Sequence, residues 1–174
     1  MFFMAQLANS KEAEPKVVIP ALMHQTTSRR WNMGSMQESS LITASPGQVW
    51  QAVVDFPSRP HWSPRVKDAQ ILGEGPLREG SRIRLTVDRD RFTSTVVEMH
   101  PSEKLTLLVK GPGFRVFHTY QLRPSGDGTE ITMTGDYGGL IGKLVVRFMS
   151  RSLRRDLTDE LAAIKRAADA DSPK

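Results

Sequence analysis

The chain contains no cysteine among its 174 residues. Disulfides and thiolate metal sites are therefore excluded, and a reducing, cytoplasmic setting is the expectation. Histidine is scarce, with four residues and no pair at zinc-ligand spacing, so no metal centre is expected. No apolar run approaches the ~18 residues of a membrane span, so stable membrane insertion is not expected. The opening MFFMAQLANSKEAEPK lacks a basic leader and has only a short apolar patch, which argues against a signal peptide. The segment Gly138-Gly139-Leu140-Ile141-Gly142-Lys143 has glycines and a lysine, but not the spacing or the following Ser/Thr of a phosphate loop. No nucleophile elbow and no glycosidase-type acid pair stands out. No redox motif is present either, and no cofactor is expected. The net charge of +5 reads as scattered basic residues on a protein without a nucleic-acid partner.

What the chain does have is a long helical stretch near its end, about 139–168. Leu140, Leu144 and Phe148 recur every four residues, with Ile141 and Val145 beside them. After Arg151, Arg154 and Arg155 the apolar register resumes at Leu153, Leu157, Leu161 and Ile164. This is helical spacing without a proline, and at about 1.5 Å per residue it spans roughly 45 Å. The arginines Arg147, Arg151, Arg154 and Arg155 read as a solvated stripe, with an anionic head group or membrane surface as the alternative.

Residues 1–36 differ from the rest. They are polar and aperiodic apart from Val17-Val18-Ile19, and they are expected to form a disordered arm, with Met36 an alternative natural start. A single domain is expected over 37–170, followed by a short tail, 171–174. A first strand is expected over 37–43. Ser45-Pro46-Gly47-Gln48 then opens a helix, with Ser45 as N-cap, Pro46 at the first helical position and Gln48 completing a capping box. Pro57, Pro60 and Pro64 allow at most one further helical turn around His61 and Trp62. Strands follow at 65–72, 81–87, 92–99, 105–109, 114–122 and 129–137, separated by Gly, Pro and Asp turns. The alternation of Ile83, Leu85 and Val87 with Arg82, Arg84 and Thr86 marks one buried and one wet face. Short loops between consecutive strands imply an antiparallel meander.

The run Ile42-Thr43-Ala44-Ser45-Pro46-Gly47-Gln48-Val49-Trp50, followed by Asp55-Phe56-Pro57 and Trp62, resembles the opening of the SRPBCC (START-like) superfamily. Gly80-Ser81, Val97-Glu98-Met99-His100-Pro101, Tyr120-Gln121-Leu122 and Gly128-Thr129 are similar to its later landmarks. The branch resembled is the polyketide cyclase/dehydrase and lipid-transport group, over residues 37–168. The resemblance implies an α+β helix-grip fold. In it, a curved antiparallel sheet of six or seven strands wraps a long C-terminal helix, with two short helices after the first strand. It also implies a deep, mostly apolar cavity between sheet and helix.

On the strand at 114–122, Val116, His118, Tyr120 and Leu122 share one face by period two. The apolar Leu122 turns that face inward, so His118 and Tyr120 are expected in the cavity wall. Ile131 and Met133 are expected inward on the next strand, with Leu144 and Phe148 of the helix facing them, and Phe56 and Trp62 at the mouth. Tyr137 is a further ligand contact. The plainer assignment for several of these residues is ordinary core packing, as it is for Trp50. His118 is the sharpest polar candidate, since imidazole transfers protons near neutral pH.

Three functions are compatible with this set. The first is binding of a small hydrophobic molecule such as a lipid, a quinone or a polyketide-like compound. The second is a cyclase, aromatase or dehydrase with His118 and Tyr120 transferring protons. The third is a protein-interaction module that uses the sheet edge or the arginine stripe. The sequence sets no oligomeric state.

Overall fold

The computed structural model describes residues 34–139 and 142–170. Seven strands form one antiparallel, curved sheet: β1 (Gly34–Ile42), β2 (Val66–Leu72), β3 (Arg82–Val87), β4 (Asp90–His100), β5 (Lys104–Gly111), β6 (Phe114–Ser125) and β7 (Gly128–Gly139). Two short helices, α1 (Pro46–Val54) and α2 (Arg59–Trp62), lie between β1 and β2, and α3 (Gly142–Ala170) closes the chain.

The strand order is β1-β7-β6-β5-β4-β3-β2. Strands β2 to β7 form a meander, and β1 adds to its far edge against β7. Helices α1 and α2 carry the chain across from β1 to the opposite edge. The expected capping box starts α1: the Ser45 hydroxyl accepts from the Gln48 amide, and Gln48 Oε1 accepts from the Ser45 amide at 2.9 Å. These bonds satisfy amides that the first helical turn leaves unpaired. The pairing register shifts between Val66 and Asp68 and between Val96 and Glu98. An extra residue on one side of a ladder bends the strand and adds twist, and so helps the sheet curl.

The concave face carries the core. Ile42, Val49, Val53, Phe56, Ile83, Leu105, Ile131 and Ile164 are completely buried. Helix α3 lies across this face and buries Leu153, Leu157, Leu161 and Ile164. Each such side chain contributes about 1.5–3 kcal/mol by leaving water.

Two expectations need correction. Strand β1 begins at Gly34, so residues 34–36 belong to the sheet rather than to an arm. Gly34, Ser35 and Met36 pair with Tyr137, Asp136 and Gly135, and Met36 is buried. The remainder of the expected arm, residues 1–33, and the tail, 171–174, lie outside the described residues.

Leu144 and Phe148 do not face the cavity either: they are 54% and 76% exposed. Leu144 precedes Leu153 by nine residues, as Phe148 precedes Leu157. Nine residues are about two and a half helical turns. An uninterrupted helix that buries Leu153 and Leu157 must therefore turn Leu144 and Phe148 outward. Val146 and Met149 pack inward in their place.

Candidate functional site

A cavity of about 350 Å³ lies between the concave sheet face and the C-terminal half of α3. The residues lining it fall into two groups. Leu85, Phe92, Leu107, Val109, Val116 and Met133 project from the sheet as an apolar wall, each presented by strand alternation. Opposite them stand polar groups from α2, its following loop and α3: Arg59, Arg65, Asp156 and Glu160. His118 and Tyr120 join the two groups from β6.

Arg59 organises the polar side. It is 3% exposed although α2 is a single turn. Its Nη1 donates to Glu160 Oε1, and its Nη2 donates to the Val53 carbonyl at 3.1 Å. The guanidinium stacks 4.4 Å above the Phe56 ring centroid, with the Trp62 and Tyr120 rings 5.6 and 5.8 Å away. Burial alone works against its charge, but the Glu160 carboxylate and the Tyr120 hydroxyl together more than compensate and hold the pKa above its ordinary value. Arg59 Nε is buried without a hydrogen-bond partner among the described residues.

Tyr120 donates its hydroxyl proton to the same Glu160 oxygen at 3.3 Å. Burial, reinforced by the Glu160 charge, pushes the phenol up to about 12. Arg65 makes the second link to α3. It donates from Nη1 to Asp156, and from Nε and Nη2 to Asp88 Oδ2 at 3.1 and 2.9 Å. These hydrogen bonds raise its pKa, although the side chain is about one-third exposed. The two arginines thus fix α3 to opposite ends of the α2 segment through acids four residues apart, Asp156 and Glu160, which share a helix face.

His118 sits beside this network. It pairs across the ladder with Gly135, while Val116 pairs with Tyr137. Because Gly135 has no side chain, the Tyr137 ring folds back over it: a Cβ there would lie 2.9 Å from the Tyr137 hydroxyl. The Tyr137 ring then meets His118 edge to face, centroids 6.4 Å apart at 82°. Burial lowers the His118 pKa below its ordinary value, and only partial opposition comes from the Glu160 and Asp156 carboxylates. His118 is therefore neutral at pH 7. Its Nδ1 is buried without a hydrogen-bond partner among the described residues. Burial together with Asp156 and Asp136 also raises the Tyr137 pKa.

Of the residues singled out in the sequence, Val116, His118, Tyr120, Met133 and Tyr137 line the cavity. Phe56 and Ile131 do not; both are fully buried, and Phe56 underlies Arg59 rather than marking a mouth. Trp62 is half-buried against the core, its ring 5.6 Å from the Arg59 guanidinium, and it does not line the cavity. Sequence reasoning passed over Arg59, Arg65, Asp156 and Glu160, because charged residues are assigned to solvent by default. A signal was present for Glu160: it follows Leu157 by three and precedes Ile164 by four, which places it on the buried face. Among the described residues no three metal-ligating side chains cluster, and no helix is long and apolar enough to cross a membrane.

Comparison with solved structures gives the fold. The Zhui aromatase/cyclase from a Streptomyces species superimposes with a TM-score of 0.65 at 17% identity, over 79% of this chain and 94% of that one. A START superfamily protein from Mycobacterium smegmatis superimposes with a TM-score of 0.60 at 19% identity, over 76% of this chain and 97% of that one. The protein Ara h 8.0201 gives a TM-score of 0.66 at 14% identity, over 80% and 99%. These are helix-grip proteins, and the expected fold is the observed one. No curated protein sequence matches the chain. The family profile described as polyketide cyclase / dehydrase and lipid transport matches residues 33–169. The chain therefore belongs to the polyketide cyclase / dehydrase and lipid transport family, within the START-like SRPBCC superfamily.

Proposed function

We propose that the protein binds a small hydrophobic molecule carrying one polar end in the cavity between sheet and α3. The observation that carries this reading is the division of the cavity wall. Leu85, Phe92, Leu107, Val109 and Met133 form its apolar side, while Arg59 and His118, each with a buried nitrogen that no group among the described residues satisfies, lie at its polar side. Pockets of this kind gain affinity from the apolar wall and orientation from a few polar groups. The pocket size suits a molecule of lipid, quinone or polyketide-like character. The absence of cysteine supports a cytoplasmic location.

The test is native mass spectrometry of the purified protein, followed by denaturing extraction and small-molecule mass analysis. In parallel, anilinonaphthalene sulfonate binding is compared between the parent and Met133→Lys. A co-purifying hydrophobic molecule, and probe binding lost in the folded variant, are the expected results. Unchanged probe binding in Met133→Lys removes the cavity as the site.

A second reading, a cyclase, aromatase or dehydrase, is favoured by one observation: a buried imidazole in the wall of an apolar cavity. In it, His118 takes a proton from carbon or oxygen of a bound polyketide-like chain, while the cavity holds that chain in one conformation. Tyr120, whose hydroxyl donates to Glu160 at 3.3 Å, is the second proton-transfer group in this reading. His118→Gln then loses turnover of a polyketide-like substrate and retains affinity; equal turnover removes the histidine from the mechanism.

A further inference from the structure

The N-terminal half of α3 presents a face that the cavity does not use. Among the described residues of α3, Leu144 and Phe148 are the large apolar side chains that stand exposed, at 54% and 76%, and they lie one turn apart. At ~100° per residue, Leu144, Phe148, Arg151 and Arg155 fall within ~60° of one another around the helix. Arg147, Arg151 and Arg155 are likewise exposed. Residues 142–155 hold five basic side chains (Lys143, Arg147, Arg151, Arg154, Arg155) and no acidic one. The acids of α3 begin only at Asp156, where the helix turns to line the cavity.

We propose that this face docks peripherally on a membrane surface rich in anionic phospholipid, with Phe148 and Leu144 entering the head-group boundary and the arginines meeting lipid phosphates. Three occupants compete for such a face, and its chemistry selects among them. A second copy of the chain placed on it about a two-fold axis brings arginine against arginine. A nucleic acid backbone satisfies the arginines but leaves the Phe148 ring, three-quarters exposed, without an apolar partner. A bilayer surface satisfies both, since an interfacial helix combines apolar anchors with flanking Lys and Arg. Leu153, Asp156, Leu157, Asp159 and Glu160 line the cavity, whereas Leu144, Arg147, Phe148 and Arg151 do not. Membrane contact and cavity binding are thus separable by mutation.

The experiment is vesicle co-sedimentation of the full chain, using phosphatidylcholine alone and phosphatidylcholine mixed with phosphatidylglycerol, at low and high salt. Binding is expected only to the mixed vesicles and weakens with salt. The pair Arg147→Glu and Arg151→Glu lowers partitioning more than ~20-fold, at about a kcal/mol per charge near the surface. The pair Leu144→Ser and Phe148→Ser lowers it more than ~10-fold. Both double variants keep the parent circular dichroism spectrum and the parent affinity for anilinonaphthalene sulfonate. The proposal is overturned by equal binding to neutral vesicles, by no binding to either, or by full binding of the serine pair. A dimer in light scattering that the serine pair dissolves, or salt-sensitive binding of duplex DNA without vesicle binding, also overturns it.

Discussion

Arg59 and Glu160, 101 residues apart in the chain, form an ion pair whose side chains are 4% and 16% exposed. It joins a single-turn helix to the middle of the long one at the wall of the cavity. Two charges so far out of water are stable only together, because each alone carries the full cost of desolvation.

The first prediction concerns that pair. Arg59→Met leaves the Glu160 carboxylate and the Tyr120 hydroxyl without their cation, and it lowers unfolding free energy by about 3–5 kcal/mol. Glu160→Leu strands the guanidinium and has an effect of similar size. The double variant loses clearly less than the sum of the two, because no buried charge is left alone. Urea denaturation of the four proteins measures this, and additive losses would show that the pair is not coupled.

The second concerns pH. The folded-state pKa of His118 lies below the unfolded value near 6.5. Between those two values the unfolded chain binds more protons than the folded one, so stability rises with pH across the window and falls as the solution is acidified. His118→Gln removes this term, and its melting temperature declines less than the parent's between neutral pH and pH 5. Identical slopes would mean that the imidazole is not desolvated in the folded protein.

The third concerns Gly135. An alanine there places its methyl 2.9 Å from the Tyr137 hydroxyl and ring. The ring must leave its position over the strand, and the edge-to-face contact with His118 goes with it. Overpacking of this kind costs about 1–3 kcal/mol. The displaced ring enters cavity space, so Gly135→Ala weakens anilinonaphthalene sulfonate binding as well as lowering the melting temperature. Unaltered probe affinity would place the ring's escape route elsewhere.

The fourth compares two glycines with positive φ, Gly126 at 56° and Gly139 at 97°. A Cβ at Gly126 meets nothing within 4 Å, whereas at Gly139 it lies 2.4 Å from the Gly113 carbonyl oxygen. Gly126→Ala costs about 1 kcal/mol, a left-handed conformation being its only penalty. Gly139→Ala adds a collision with backbone that cannot rotate away, and it costs several times as much. Thermal unfolding of the two variants decides; equal losses would show that the β6–β7 end yields readily.

Most of the architecture was legible in the sequence because its signals are local. Ser45 and Gln48 announce α1 through chemistry confined to one helical turn. Val116, His118, Tyr120 and Leu122 declare a face by alternation. The site was legible only on its sheet side. Leu144 and Phe148 were misplaced because a helical pattern interrupted by arginines reads as one stripe, although nine residues separate opposite faces. Arg59 carries no local sign of burial: what shields it is Phe56 beneath, Tyr120 from β6 and Glu160 from α3, partners that only the tertiary fold assembles.

The placement of β1 beside β7 also bears on how the molecule comes into being. Gly34 pairs with Tyr137 and Ile42 with Thr129, so the strand made before all others in the sheet waits for the one made last. Helix α3, later still, packs against β1 and β7. Contacts of such long sequence separation slow folding, since the chain entropy of closing the loop is lost before the contacts form. During synthesis β1 offers an unpaired edge with Ile42 and Met36 uncovered. The nascent chain is thus most exposed to misassociation in the interval before α3 leaves the ribosome, and a chain ended within α3 would prolong that state.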